Sequence, residues 1–113
     1  MGYLERLDGL ARADVAGLHK AQLSYGDSWK RRGGANAFFM LVRKMDRIEI
    51  QVAKHANDIF AAALADQRVE GIADDIRDLR RYLLLVEAEI EDLKQRAPVS
   101  EQATVDLTEP ESP

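Results

Sequence analysis

The chain has 113 residues, a formal net charge of −4 and no cysteine. That length suits one domain with a modest core, and the lack of thiols excludes disulfides, a thiolate zinc site and a cysteine nucleophile. No stretch approaches the roughly 20 apolar residues that span a bilayer, and charges interrupt the N-terminal segment too often for a signal peptide, so a cytoplasmic protein away from membranes is expected.

The net charge hides a division. Residues 97–113 carry Glu101, Asp106, Glu109 and Glu111 and no Lys or Arg. Subtracting those four from the 20 acids of the chain leaves 16 acidic residues against 16 basic ones in residues 1–96. A neutral body argues against general nucleic-acid binding, which needs a basic face. The Pro- and Ser-bearing acidic segment buries too little to offset its ordering entropy and reads as a disordered tail.

The first helix is expected over residues 2–24. Leu4, Leu7, Ala11, Val15 and Leu18 recur at steps of three and four, which places them on one face. Gly9 and Gly17 weaken this helix or let a neighbour approach closely.

The second helix is expected over residues 37–65, with Asn36 as N-cap. Phe38, Leu41, Met45, Ile48, Val52, His55, Ile59 and Ala62 form its seam. Asn57 and Asp58 are good cap residues and mark a candidate break.

The third helix is expected over residues 71–96. Ile72, Ile76, Leu79, Leu83, Val86, Ile90 and Leu93 give an unbroken 4-3-4-3 seam. Leu84 and Leu85 widen it. Ala97-Pro98 ends it, because the residue before proline disfavours the helical region. The fold class is therefore all-α: a small bundle of three main helices, with an antiparallel hairpin of the second and third and a disordered acidic tail. The seams read as core. Their breadth exceeds what three short helices cover, so a homo-oligomer is expected.

Between the first two helices lies the most unusual segment, residues 25–36. It holds the only Trp, three consecutive cations and three glycines. Glycines let backbone N–H groups approach a ligand, and a helix start adds partial positive charge. Lys30, Arg31 and Arg32 add full charges, and Arg grips phosphate with two parallel hydrogen bonds. Tyr25 or Trp29 would stack on a base. The plainer alternative is a solvated turn whose Trp packs on the bundle end.

Further along, Lys44 and Arg47 share a face, as do Asp46 and Glu49. These read either as local surface ion pairs or as a ligand-facing stripe. On the third helix Asp75 and Asp78 share a face, a spacing suited to Mg²⁺, which takes oxygen ligands. Dipole and capping effects explain acids in a first turn equally well. Folding the hairpin near position 68 sets Asp75 and Asp78 level with residues 57–60. Asp46 and Glu49 then lie roughly 16 Å away along the axis. A helix break or a partner copy is needed to unite all four.

Tyr25-Gly26-Asp27-Ser28-Trp29, then Lys44, Arg47 and Ile48, then Glu70-Gly71-Ile72 with Asp78 and Tyr82, resemble the marks of the nucleotide modification associated domain 1 family in its phage-encoded form. The resemblance spans about residues 18–90. Arg81 stands where that family has Asn. The resemblance implies a nucleotide or other phosphate-bearing ligand, linked to nucleotide metabolism or modification, in the cytoplasm of a phage-infected host. The chain is also similar, distantly, to the MazG-type all-α nucleoside triphosphate pyrophosphatases, which implies Mg²⁺-dependent hydrolysis with Asp75 and Asp78 as metal ligands. Tyr25, Trp29, Lys30, Arg31, Arg32, Lys44, Arg47 and Tyr82 are the candidate ligand-binding residues. The alternative is a non-enzymatic helical interaction protein that self-associates and binds a host protein.

Overall fold

The computed structural model describes residues 1–96, in which every regular element is helical. The tail expectation for residues 97–113 lies outside the described residues. Helix α1 spans Tyr3–Tyr25, α2 Gly34–Ala53, α3 Ile59–Ala65 and α4 Ile72–Arg96. A single 3₁₀ turn, Ser28–Lys30, sits between α1 and α2. One compact unit covers Met1–Leu83, and a second begins at Leu84 within α4.

Each junction has a local cause. Gly26 closes α1 with a left-handed φ of 58°, and its N–H donates to the Gln22 carbonyl. Such a residue satisfies an orphan carbonyl at a helix end at no steric cost to glycine. Gly33, at φ 89°, turns the chain into α2. Helix α2 therefore begins three residues before the expected start at Ala37, and Asn36 lies inside it rather than at its cap.

The candidate break near Asn57 is present, so the helix expected over residues 37–65 is two helices, and the break is wider than a kink. Helix α2 stops at Ala53, and Ala56 and Asn57 both take left-handed φ values, 55° and 62°. The Asn57 N–H donates back to the Val52 carbonyl at 2.8 Å. Asp58 then caps α3, accepting from Phe60 N at 3.0 Å and Ala61 N at 3.1 Å. The seam periodicity carried no trace of this interruption, because Ile59 and Ala62 keep the step of the preceding helix.

Helix α4 starts on two carboxylates. Asp66 Oδ2 accepts from Ile72 N at 2.7 Å, and Asp74 Oδ2 accepts from Gly71 N at 2.9 Å. The second bond is the back-reaching half of a capping box. A Cβ on Gly71 would meet Asp66 Oδ2 at 2.9 Å, so the close approach needs glycine.

The packing departs from the seam-as-core expectation. Among the described residues the buried apolar side chains are Ala37, Ile48, Ala62 and Ile72. Leu4, Leu7, Val15, Phe38, Met45, Ile76 and Leu83 are exposed in the first unit, as are Ile90 and Leu93 in the second. The physical reason lies in what joins the helices. Arg47 reaches Asp75 and Lys44 reaches Asp78 between α2 and α4, while Arg80 and Arg81 both reach Asp14 on α1. Long ionic side chains, rather than the apolar seams, make these inter-helix bridges. At 3.6 residues per turn, Asp78 and Arg80 stand about 160° apart around α4, so α1 and α2 meet α4 on different sides.

Candidate functional site

The ionic contacts fix the α2–α4 geometry. Arg47 Nε donates to Asp75 Oδ1 at 2.8 Å, and Lys44 Nζ to Asp78 Oδ2 at 3.0 Å. Numbers rise along one helix as they fall along the other, so the pair is antiparallel, as expected. Both contacts are centred on Ala61 in sequence, however, and not on position 68. The break at Ala56 and Asn57 explains the shift, because it takes the distal part of the expected second helix out of the hairpin. Asp75 and Asp78 therefore lie level with Arg47 and Lys44, not with residues 57–60.

Asp75 is 1% exposed. Its Oδ2 is buried with no hydrogen-bond partner, and Arg68 Nη2 lies 3.8 Å away. Asp78 is also 3.9 Å from Arg77 Nε. Magnesium at Asp75 and Asp78 would have to compete with Arg47 and Lys44 for the same oxygens. Among the described residues no group of three His, Cys, Asp or Glu side chains gathers as a metal cage. Asp46 and Glu49 are exposed.

Arg68 grips Asp66 with both arms, Nε to Oδ1 at 2.9 Å and Nη2 to Oδ2 at 2.8 Å. Those side-chain hydrogen bonds, with the backbone N–H of Arg68, hold the Asp66 carboxyl well below the usual carboxylate range.

A third cluster joins α1 to α4. Asp14 takes the Arg80 guanidinium through Nε and, at 2.8 Å, Nη2, and also accepts from Arg81 Nε at 2.9 Å. Arg81 Nη2 donates to the Ala13 carbonyl at 3.0 Å. The Arg80 hydrogen bond, foremost, lowers the Asp14 carboxyl to about 2, against the opposing effect of burial. The same contact raises Arg80 above its ordinary value. Arg81 lies across Gly17, where a Cβ would meet Nη1 at 2.5 Å. Sequence reasoning missed Asp14. Its signal was present, since Leu7, Ala11, Asp14 and Leu18 step by four, three and four, which sets one acid in an otherwise apolar stripe.

The candidate ligand residues do not converge. Tyr25, Arg31 and Arg32 are exposed and Trp29 and Lys30 half-buried at the turn before α2. Lys44 and Arg47 are held by α4, and Tyr82 is half-buried further along α4. A shallow apolar hollow of about 400 Å³ on α1, lined by Ala11, Arg12, Val15, Ala16 and His19, includes none of them. Among the described residues, no helix is long and apolar enough to cross a membrane.

No family model, curated protein or solved structure matches the chain. The resemblance to the nucleotide modification associated domain 1 family therefore stands on its motif residues alone.

Proposed function

We propose that this chain is a non-enzymatic helical interaction protein, whose apolar helix faces are its working surfaces. One observation carries the reading. The charged groups best placed for chemistry, Lys44, Arg47, Asp75 and Asp78, neutralise one another, while large apolar side chains on the same two helices stand in solvent. Groups already paired offer little to a substrate, whereas contiguous exposed apolar surface marks an association site. A self-associating protein that also engages a host protein in the cytoplasm suits that surface.

The test is isothermal calorimetry with nucleoside mono-, di- and triphosphates, with and without Mg²⁺, alongside an assay for phosphate or pyrophosphate release. Neither heat nor release is expected. A binding heat or turnover that Arg47→Ala abolishes would sink the reading.

A second reading is a nucleotide- or phosphate-binding protein linked to nucleotide metabolism or modification. It is favoured by the exposure of Arg31 and Arg32 beside the left-handed Gly33 that opens α2. There Lys30, Arg31 and Arg32 hold the phosphates and Tyr25 or Trp29 stacks on the base. Asp75 and Asp78 take Mg²⁺ only if Lys44 and Arg47 swing onto the ligand.

A further inference from the structure

We infer that the occupant of the open α2–α4 face is a second copy of this chain, related by a two-fold axis. The inference rests on the interaction-protein reading and deepens it by naming the partner.

The face follows from helix geometry. Lys44 and Arg47 mark the side of α2 that meets α4. Met45 stands about 100° around the helix from Lys44, and Phe38 about 120°. On α4, Asp75 and Asp78 mark the side that meets α2. Leu79 stands about 100° around from Asp78, and Leu83 about 140°, in the same rotational sense. The helices run antiparallel, so equal senses of rotation open to the same side of the pair. The contact register sets Phe38, Leu41 and Met45 level with the Ile76–Leu83 stretch. Together these residues make one apolar face across two helices.

Area selects the occupant. Phe38 is 66% exposed, Met45 44%, Ile76 37% and Leu83 49%. With half-buried Leu41 and Leu79, one protomer leaves on the order of 500 Å² of apolar side chain open here, taking large side chains at roughly 150–250 Å² each. Two such faces brought together remove on the order of 1,000 Å², the threshold for a specific interface. The ionic groups that join α2 to α4, Lys44, Arg47, Asp75 and Asp78, are turned into their own contact, and exposed Glu49 stands at the rim of the face, one turn beyond Met45. Phe38 and Met45, and likewise Ile76 and Leu83, are spaced by seven, the repeat that lets antiparallel helix pairs close into a four-helix bundle. An isologous pairing uses the same patch on both chains. A protomer with so few buried apolar side chains gains its missing core this way.

Light scattering on the full chain tests the inference. Wild type at micromolar concentration is expected at twice 12.7 kDa, with a melting temperature that rises with protein concentration. Phe38→Lys and Leu83→Lys should each lower the mass. Phe39→Lys, on another side of α2 although 55% exposed, should leave it unchanged. Loss of helical circular dichroism in Phe38→Lys supports the inference if Phe39→Lys keeps both helicity and mass, since the protomer then needs its partner to fold. A monomeric wild type overturns it, as does a dimer that Phe39→Lys dissociates and Phe38→Lys does not. Calorimetry on the same sample separates the two readings. A monomer without nucleotide heat defeats the second-copy inference and the self-association, and leaves the binding of another protein to the apolar faces standing. A dimer whose nucleotide heat Arg47→Ala abolishes defeats only the interaction-protein reading.

Discussion

Arg47 reaches Asp75 across 28 positions of sequence, Nε to Oδ1 at 2.8 Å, and the receiving carboxylate is almost wholly shielded from water. Truncating the arginine strands that carboxylate. Arg47→Ala should cost about 1.5–3 kcal/mol, the worth of a charged hydrogen bond with its buried partner left behind. Arg47→Met combined with Asp75→Leu should cost less than the two single changes added together, because an apolar pair leaves no orphan charge. Urea denaturation of the four proteins, arranged as a double-mutant cycle, measures this. Strict additivity would show that the two side chains do not act on each other.

Asp14 gives a pH dependence with a definite sign. Its folded carboxyl lies at about 2, below the ordinary value of 3.8. A depressed folded value means stability that is fully present above the unfolded value and lost as pH falls through the folded one. Melting temperature should therefore fall between about pH 4 and pH 2, and Asp14→Asn should flatten part of that fall. Asp66 is depressed in the same direction by Arg68 and contributes to the same acid limb. Thermal melts at half-unit pH steps check this; an Asp14→Asn curve parallel to wild type would remove Asp14 from it.

Two glycines of α1 should respond differently to alanine. Gly9 has nothing within 4 Å of an added Cβ. Gly9→Ala should stabilise by about 0.8–1 kcal/mol through helix propensity alone. Gly17→Ala carries the same propensity gain but displaces the Arg81 guanidinium from Asp14 and the Ala13 carbonyl, so its net effect should be smaller or negative. Equal gains at the two positions, read by chemical denaturation, would contradict the Arg81 contact.

The break between α2 and α3 supplies a third pair. Ala56→Gly should stabilise, since an alanine at φ 55° carries a penalty of roughly 1–2 kcal/mol that glycine escapes. Asp58→Ala should cost about 1 kcal/mol by removing the cap from Phe60 and Ala61. If Ala56→Gly destabilises instead, the left-handed turn is not held by its surroundings.

What the sequence revealed was periodicity, and periodicity is a property of single helices. The limits of α1 and α4 lay within a residue of expectation, because their seams are regular and their ends carry Gly26 and the Asp66 and Asp74 caps. The exit of α2 was legible only as a pair of cap residues at Asn57 and Asp58. Its register against α4 was not legible, because that depended on how much chain the break removed. Seam residues such as Leu83 looked like core for a related reason. Periodicity shows that a face is apolar but not what covers it. Among the candidate ligand residues, Lys44 and Arg47 were correctly grouped on one face of α2. Nothing local to either helix disclosed that Asp78 and Asp75 stand opposite them.

The sequence separations of these contacts set an order in time. Arg80 and Arg81 lie 66 and 67 positions after Asp14. A ribosome adding about 5–20 residues per second needs about 3–13 s to cover that distance. Throughout that interval Asp14 is without the two guanidinium groups that neutralise it among the described residues. Lys44 and Arg47 wait about half as long for their carboxylates, 34 and 28 positions. Both sets of contacts are completed only by α4, so α1 and α2 alike stay without their ionic partners until that helix is made.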